Sequence, residues 1–182
     1  SDRVYARSKR PEDITEWVHP DFDTGMTYPM AWVNTDGKVC VLTGGTGVLG
    51  SVMAQGLAAA GARVAVLGRR RDKAEEVVQA VRDLGGEAMA TPADVLDQGA
   101  LERVRGDLID RWGRVDLLVN AAGGNLPGAT LTPEQTFFDL APDDIRGVME
   151  LNFFGSFLPS QVFAKAMVEQ GAPLHDGLRS IA

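Results

Sequence analysis

The residues best suited to chemistry in this chain lie in one glycine-rich run, Thr43-Gly44-Gly45-Thr46-Gly47-Val48-Leu49-Gly50. Glycines let a chain turn with positive φ and bring its backbone against a ligand with no Cβ between them. If a helix starts directly after the turn, its first amides have no internal acceptor and face an anion. The run therefore reads as a phosphate cradle, with Gly44, Gly45, Thr46, Gly47, Val48, Leu49 and Gly50 as the residues that would hold a pyrophosphate. Other reactive side chains offer less. The single cysteine, Cys40, leaves no thiol pair for a disulfide or a metal, and His19 and His175 are far apart in sequence.

A cradle of this kind needs a strand before it and a helix after it. Val39-Cys40-Val41-Leu42 is a short apolar run of the sort found in a fully buried parallel strand. Leu49, Val52, Met53, Gly56 and Leu57 recur at helical spacing, and Gly61 is placed to close that helix. A second strand follows over Arg63–Leu67, then a helix from Asp72 to Leu84 with Ala74, Val77, Val78 and Val81 inward, stopped by Gly85-Gly86. A third strand is expected near Glu87–Thr91. Asp97 then caps a helix carrying Leu101, Val104, Leu108 and Ile109 that breaks at Gly113, and Val115–Val119 makes a fourth strand. After a long loop bearing glycine and proline, Pro142 with Asp143 and Asp144 opens a helix reaching Glu169, and Pro159 predicts a kink within it. Strands alternating with helices define an α/β fold with a doubly wound, Rossmann-like parallel sheet. Residues 1–36 have no sustained period, carry charge, proline and scattered aromatics, and read as an N-terminal extension.

The end of the second strand is where a dinucleotide fold selects its ribose: a carboxylate accepts from a free 2′-hydroxyl, and an arginine accommodates a 2′-phosphate. Here the run is Leu67-Gly68-Arg69-Arg70-Arg71, with cations and no acid. It favours NADP(H), with Arg69 or Arg70 on the phosphate, over NAD(H), and a solvated basic helix start is the plainer reading of the same residues.

The whole chain has 182 residues and a net charge of −7, which argues against nucleic acid as a partner because phosphate neutralisation needs clustered cations. No apolar run approaches the roughly 20 residues of a membrane span, and the N-terminal residues are polar and charged. Those features, with one cysteine, give the expectation of a soluble cytoplasmic protein.

Taken with the residues that follow it, the glycine run resembles the short-chain dehydrogenase/reductase family over residues 37–182. Asp94-Val95 looks like the family's acidic contact to the adenine ring, and Asn120-Ala121-Ala122-Gly123 like its Asn-Asn-Ala-Gly signature. Asn152 looks like the helical asparagine of its active-site tetrad. The same residues also have structural readings: Asp94 as a turn residue, Asn120 as a strand-end cap, Asn152 as a satisfied buried amide. The pattern departs from the shorter-chain members at Val48, where they place glycine. The spacing of Thr43-Gly44, Gly47 and Gly50 is similar to a Thr-Gly-x-x-Gly-x-x-Gly form.

Further segments are similar to the mannonate/fructuronate oxidoreductase branch. They are Asn120 through Asn125, Phe137-Phe138-Asp139-Leu140, Leu151 through Gly155 and Leu158 through Phe163, with Leu126 standing where that branch often carries histidine. The resemblance implies an NAD(P)-dependent oxidoreductase acting on a small carbonyl or alcohol substrate, a sugar acid in that branch, and working as a homo-oligomer. It also implies a catalytic tyrosine, a lysine four residues on, and a serine. The only tyrosines, Tyr5 and Tyr28, precede the first strand, and Gly177–Ile181 reads as the start of a fifth strand that comes before the serine. The expectation is a C-terminally incomplete domain that stops ahead of the Tyr-x-x-x-Lys and is inactive alone. A non-catalytic nucleotide-binding or interaction module is the alternative.

Overall fold

The computed structural model describes residues 37–170 and, before them, two short strands, β1 (Arg7–Ser8) and β2 (Trp17–Val18). These two pair antiparallel, Arg7 opposite Val18 and Ser8 opposite Trp17, and belong to the first of two units, Ser1–Asn34, the second being Thr35–Ala182. The extension expected over 1–36 thus contains a short ladder. Tyr5, Tyr28, His19, His175, Ser180 and the strand expected at Gly177–Ile181 lie outside the described residues.

The second unit is built on four parallel strands: β3 (Val39–Thr43), β4 (Arg63–Gly68), β5 (Glu87–Pro92) and β6 (Leu117–Asn120). Their spatial order is β5-β4-β3-β6, with Cys40 opposite both Val64 and Leu117. The chain therefore steps outward from β3 to β5 and then crosses back to the far side of β3. Where the direction of winding reverses, the two connections leaving the carboxyl ends of the strands diverge and a crevice opens.

Side chains alternate across β3, which explains why helices cover both faces. Cys40 and Leu42 pack with Val64 and Val66 under α1 (Val48–Ala59) and α2 (Arg71–Asp83). Val41 packs on the opposite face with Leu67 and Leu118 under α3 (Gln98–Trp112) and the Val162, Phe163, Ala166 and Met167 side chains of α5 (Gly155–Glu169). Asp97 caps α3 as expected, its carboxylate accepting from the Ala100 N–H at 2.9 Å. Gly61, Gly85 and Gly113 close the first three helices with positive φ. No helix of the described residues is long and apolar enough to cross a membrane.

Three elements differ from expectation. The face α1 buries is Gly50, Ala54 and Ala58, while Leu49 and Val52, read as part of its inward stripe, are 78% and 66% exposed. Helical periodicity picks out large apolar residues, but this helix lies so close to the sheet that only small ones fit beneath it. The β6 ladder begins at Leu117 and not at Val115, because the Asp116 side chain takes the Val39 N–H at 2.9 Å that a ladder bond would otherwise use. Finally, the helix expected over 142–169 is divided into α4 (Pro142–Met149), a π-turn over Glu150–Phe154, and α5. Pro159 lies inside α5, and its ring and missing N–H conflict with the carbonyl of Gly155, the residue at which the π-turn hands over to α-helix.

Candidate active site

At the carboxyl ends of the strands lies a cleft of about 690 Å³, within the ~300–1,000 Å³ common for small-molecule sites. Its lining includes Gly44, Thr46 and Gly47 from the turn after β3, and Arg69 and Arg70 after β4. Asp94 and Val95 from the segment after β5, and Ala121, Ala122 and Gly123 after β6, complete most of its wall.

The turn is shaped by two glycines that no other residue could replace without movement. Gly44 has φ +64°, and a Cβ there would strike the Ala121 carbonyl, with the Ala121 carbon at 2.6 Å. A Cβ on Gly50 would strike the Gly44 carbonyl oxygen and come within 2.8 Å of the Gly45 Cα. The start of α1 is thus packed directly against the turn. Gly47 occupies the N-cap position in extended conformation, and no side chain caps the first turn. The amides there keep their capacity to donate to an anion.

Thr43 locks this turn to the opposite rim. Its hydroxyl oxygen accepts from the Ala121 and Ala122 N–H groups at 3.0 and 3.1 Å, and its O–H donates to the Val119 carbonyl at 3.4 Å. Its role is a consequence of β3 and β6 being neighbours, which no local sequence signal announces. Asn152, carried on the π-turn, holds the next stretch of that rim. Its amide nitrogen donates to the Gly124 carbonyl at 2.7 Å and to the Val148 carbonyl at 2.8 Å, and its Oδ1 accepts from the Gly124 N–H at 3.1 Å. Both ends of the side chain are thereby committed to backbone, so in this geometry Asn152 fixes the 123–124 segment.

Not every expected site residue faces the cleft. Gly45 is buried, its N–H bonded to the Leu67 carbonyl at 3.0 Å. Gly50 lies beneath the turn, while Val48 and Leu49 point outward, Val48 at 87% exposure. These three contribute backbone to the start of α1, and the cleft lining does not include their side chains. Asn120 faces α5: its amide donates to the Ser160 hydroxyl at 3.1 Å, and its Oδ1 is buried with no partner among the described residues. Conversely, Gly68, Ala93 and Leu151 line the cleft and were not singled out by sequence.

The charged groups near the cleft are Arg69, Arg70 and Asp94. Asp94 Oδ1 accepts from the Leu96 N–H at 3.0 Å, the turn role also open to it. Arg71, next along, pairs with Glu75 at 3.6 Å, whereas Arg69 and Arg70 have no ion pair with a described residue. Cys40 is buried in the sheet, and burial pushes its thiol up to about 12. It is no thiolate nucleophile at neutral pH. Among the described residues no cluster of His, Cys, Asp or Glu could hold a metal.

A glycine turn, an open helix start and a crevice where the sheet reverses direction are the parts of a dinucleotide site. The model of the short chain dehydrogenase family matches residues 38–173. This chain belongs to that family. An uncharacterized oxidoreductase, UxuB, of Bacillus subtilis strain 168 is 43% identical over 157 residues, covering 82% of this chain and 56% of that protein. Among solved structures, a D-mannonate oxidoreductase from Haemophilus influenza, so named provisionally and holding NAD, is 38% identical with a TM-score of 0.68. The match covers 74% of this chain and 51% of that one. A metagenomic short-chain oxidoreductase in complex with NADP is 26% identical with a TM-score of 0.64, covering 76% of this chain and 60% of that one. The chain spans about half the length of the curated relatives it matches.

Proposed function

We propose that this chain is the nucleotide-binding part of an NAD(P)-dependent oxidoreductase. The carrying observation is the cleft at the sheet's reversal point, floored by a turn in which Gly44 and Gly50 leave no room for a Cβ and topped by an uncapped helix start. The residues present fit a dinucleotide: a cradle of backbone donors for pyrophosphate, and at the other end Asp94, Val95, Arg69 and Arg70 around an adenosine. The nicotinamide, when bound, supplies the hydride chemistry between its ring and a hydroxyl or carbonyl carbon.

This chain's own residues bind and orient. The first-turn amides of α1, from Val48 to Gly50, would donate to the pyrophosphate beside the turn of Gly44, Thr46 and Gly47, while the Gly45 N–H is spent on the Leu67 carbonyl and Thr43 keeps the Ala121–Gly123 rim at a fixed distance from that turn. Arg69 and Arg70 favour NADP(H), since the run Leu67-Gly68-Arg69-Arg70-Arg71 that ends β4 and leads into α2 holds no carboxylate. Asn152 positions the loop that would border the reacting carbon. A sugar acid of the mannonate/fructuronate kind is the proposed substrate, supported by the segments from Asn120 to Phe163 and by the name of the Haemophilus relative. The tyrosine and lysine that move the proton in such enzymes belong, on this reading, to sequence past Ala182. The exposed apolar side chains of Ile145, Met149, Phe153 and Phe157 support a homo-oligomer, and a single cysteine supports the cytoplasm as its place of work.

Titration with NADPH, NADH and ADP-ribose tests the reading. Binding without turnover is expected of these 182 residues. Turnover of hydroxy acids is expected once the coding sequence past Ala182 is included. Failure of every nucleotide to bind would remove the proposal, and a stop codon directly after Ala182 would remove its catalytic part.

A further inference from the structure

We propose that Pro159 is a positioning residue for the reacting end of the cleft: it keeps the π-turn over Glu150–Phe154 from relaxing into α-helix, and so holds Asn152 on the 123–124 rim. The inference rests on the dinucleotide reading above and deepens it.

Pro159 is buried inside α5 and has no N–H to offer the carbonyl of Gly155, four residues before it. The Gly155 N–H in turn reaches the Glu150 carbonyl, five residues back, which is the bond of the wider turn. A regular helix through 150–159 would need both the missing N–H and the space of the proline ring. Two hydroxyls add to the irregularity. Ser156 Oγ donates to the Asn152 carbonyl at 3.3 Å, and Ser160 Oγ donates to the Ser156 carbonyl at 2.7 Å. Such back-bonding competes with main-chain bonds and bends helices.

The wide turn matters because one short segment grips the helix at two points. At the end of β6 the Asn120 amide donates to Ser160 Oγ at 3.1 Å, and four residues on Gly124 engages both ends of the Asn152 side chain. Eight residues of regular α-helix set two side chains about 80° apart around the axis. The π-turn advances through a smaller angle per residue and takes out part of that difference, so Asn152 and Ser160 both meet 120–124. Gly155 seats the turn against a second wall of the cleft. A Cβ there would stand 3.1 Å from Val95 Cγ2, and Val95 and Leu151 both line the cleft. With Pro159 replaced, relaxation to α-helix would rotate Asn152 away from Gly124 while Ser160 stays on Asn120.

Amide hydrogen exchange and nucleotide titration of the same samples test this. In the unaltered chain the Gly124 N–H should exchange about tenfold or more slowly than an unprotected loop amide. Two ligand pairs differ only in the nicotinamide ring: NADH with ADP-ribose, and NADPH with ADP-ribose 2′-phosphate. Whichever pair binds more tightly should show about a threefold or greater preference for the member that carries the ring. Pro159→Ala returns an N–H to the helix. It should speed Gly124 exchange about tenfold and erase the ring preference, with affinity for the ring-free ligand kept within about twofold. An unprotected Gly124 amide or no ring preference in the unaltered chain would overturn the inference. So would unchanged Gly124 exchange in Pro159→Ala, or an equal loss of affinity for both members of the pair, the mark of a merely structural role. If Pro159→Ala lacks a normal melting transition, Pro159→Val, closer to proline in volume, takes its place with the same expectations. Absence of binding by all four nucleotides would instead defeat the dinucleotide reading of the cleft and leave Gly124 exchange to decide the positioning.

Discussion

The two ends of the parallel sheet solve opposite problems. At the amino ends of β3 and β6, side chains satisfy the backbone: Asp116 accepts from the Val39 N–H at 2.9 Å and from Arg114 Nε at 2.7 Å. There too the Gln170 amide both accepts from the Val115 N–H and donates to the Val115 carbonyl, each at 2.8 Å. At the carboxyl ends, glycines replace side chains, and the start of α1 is left without a cap. One end is closed by its own residues, and the other is left for a ligand to close. A buried polar group without a partner is costly, so an open end persists only where water or a ligand completes it.

That contrast predicts where substitutions should act. The largest effect is expected from Gly50→Ala, whose Cβ meets the Gly44 carbonyl and the backbone of Gly45. It should cost about 2 kcal/mol or more of stability in denaturant titrations and abolish ADP-ribose binding. Normal binding by this variant would break the comparison. Gly47→Asp is next and should separate the two properties. Its Cβ is 3.3 Å from the Gly44 oxygen, a contact that a small adjustment absorbs. The new carboxylate would cap α1 from within, changing stability by only a few tenths of a kcal/mol while weakening nucleotide binding about tenfold or more.

At the closed end the pattern should invert. Asp116→Asn should lower stability by about 1–3 kcal/mol and leave nucleotide affinity unchanged, as measured by melting and titration of the same samples. Burial alone would raise the Asp116 carboxyl. The hydrogen bonds from Arg114 and the Val39 N–H, with attraction to Arg114 and Lys38, outweigh it and hold the group below its ordinary 3.8. A carboxyl lowered by folding contributes stability that is present above the ordinary value and lost as pH falls through the folded one. The unaltered chain should therefore lose stability below pH 3.8, and the Asp116→Asn variant should lose less over the same interval. An identical acid response in the two would show that Asp116 does not carry that end. The smallest effect belongs to Asp97→Ala, which removes the α3 cap and should cost about 1 kcal/mol without changing affinity.

How much of this was legible in sequence depended on the distance over which each feature is decided. Strand runs such as Val39–Leu42, the Asp97 cap and the helix-closing glycines are local and were readable as they stand. The glycine turn was readable because its flanking elements are adjacent to it. The inward face of α1 was not, since the closeness of helix to sheet is set by Gly50 against Gly44, and the large residues Leu49 and Val52 suggested the wrong side. Thr43, whose hydroxyl meets Ala121 and Ala122, and Gly68, which makes room for Thr46, have meaning only once distant strands are neighbours. Asn152 was identified by family pattern. Its commitment of both amide atoms to Gly124 comes from the π-turn that carries it.

That π-turn also acts as a phase shift. With about 3.6 residues per α-helical turn, one inserted residue rotates everything after it by about 100° around the axis. Before it, α4 has no fully buried residue; after it, α5 directs Val162, Phe163, Ala166 and Met167 into the core. A single continuous rod is thereby aimed in two directions, one segment holding the cleft rim and the other anchored in the protein interior. Removing one residue between Glu150 and Phe154 would bring the two segments into register and pull either the rim or the anchor out of place.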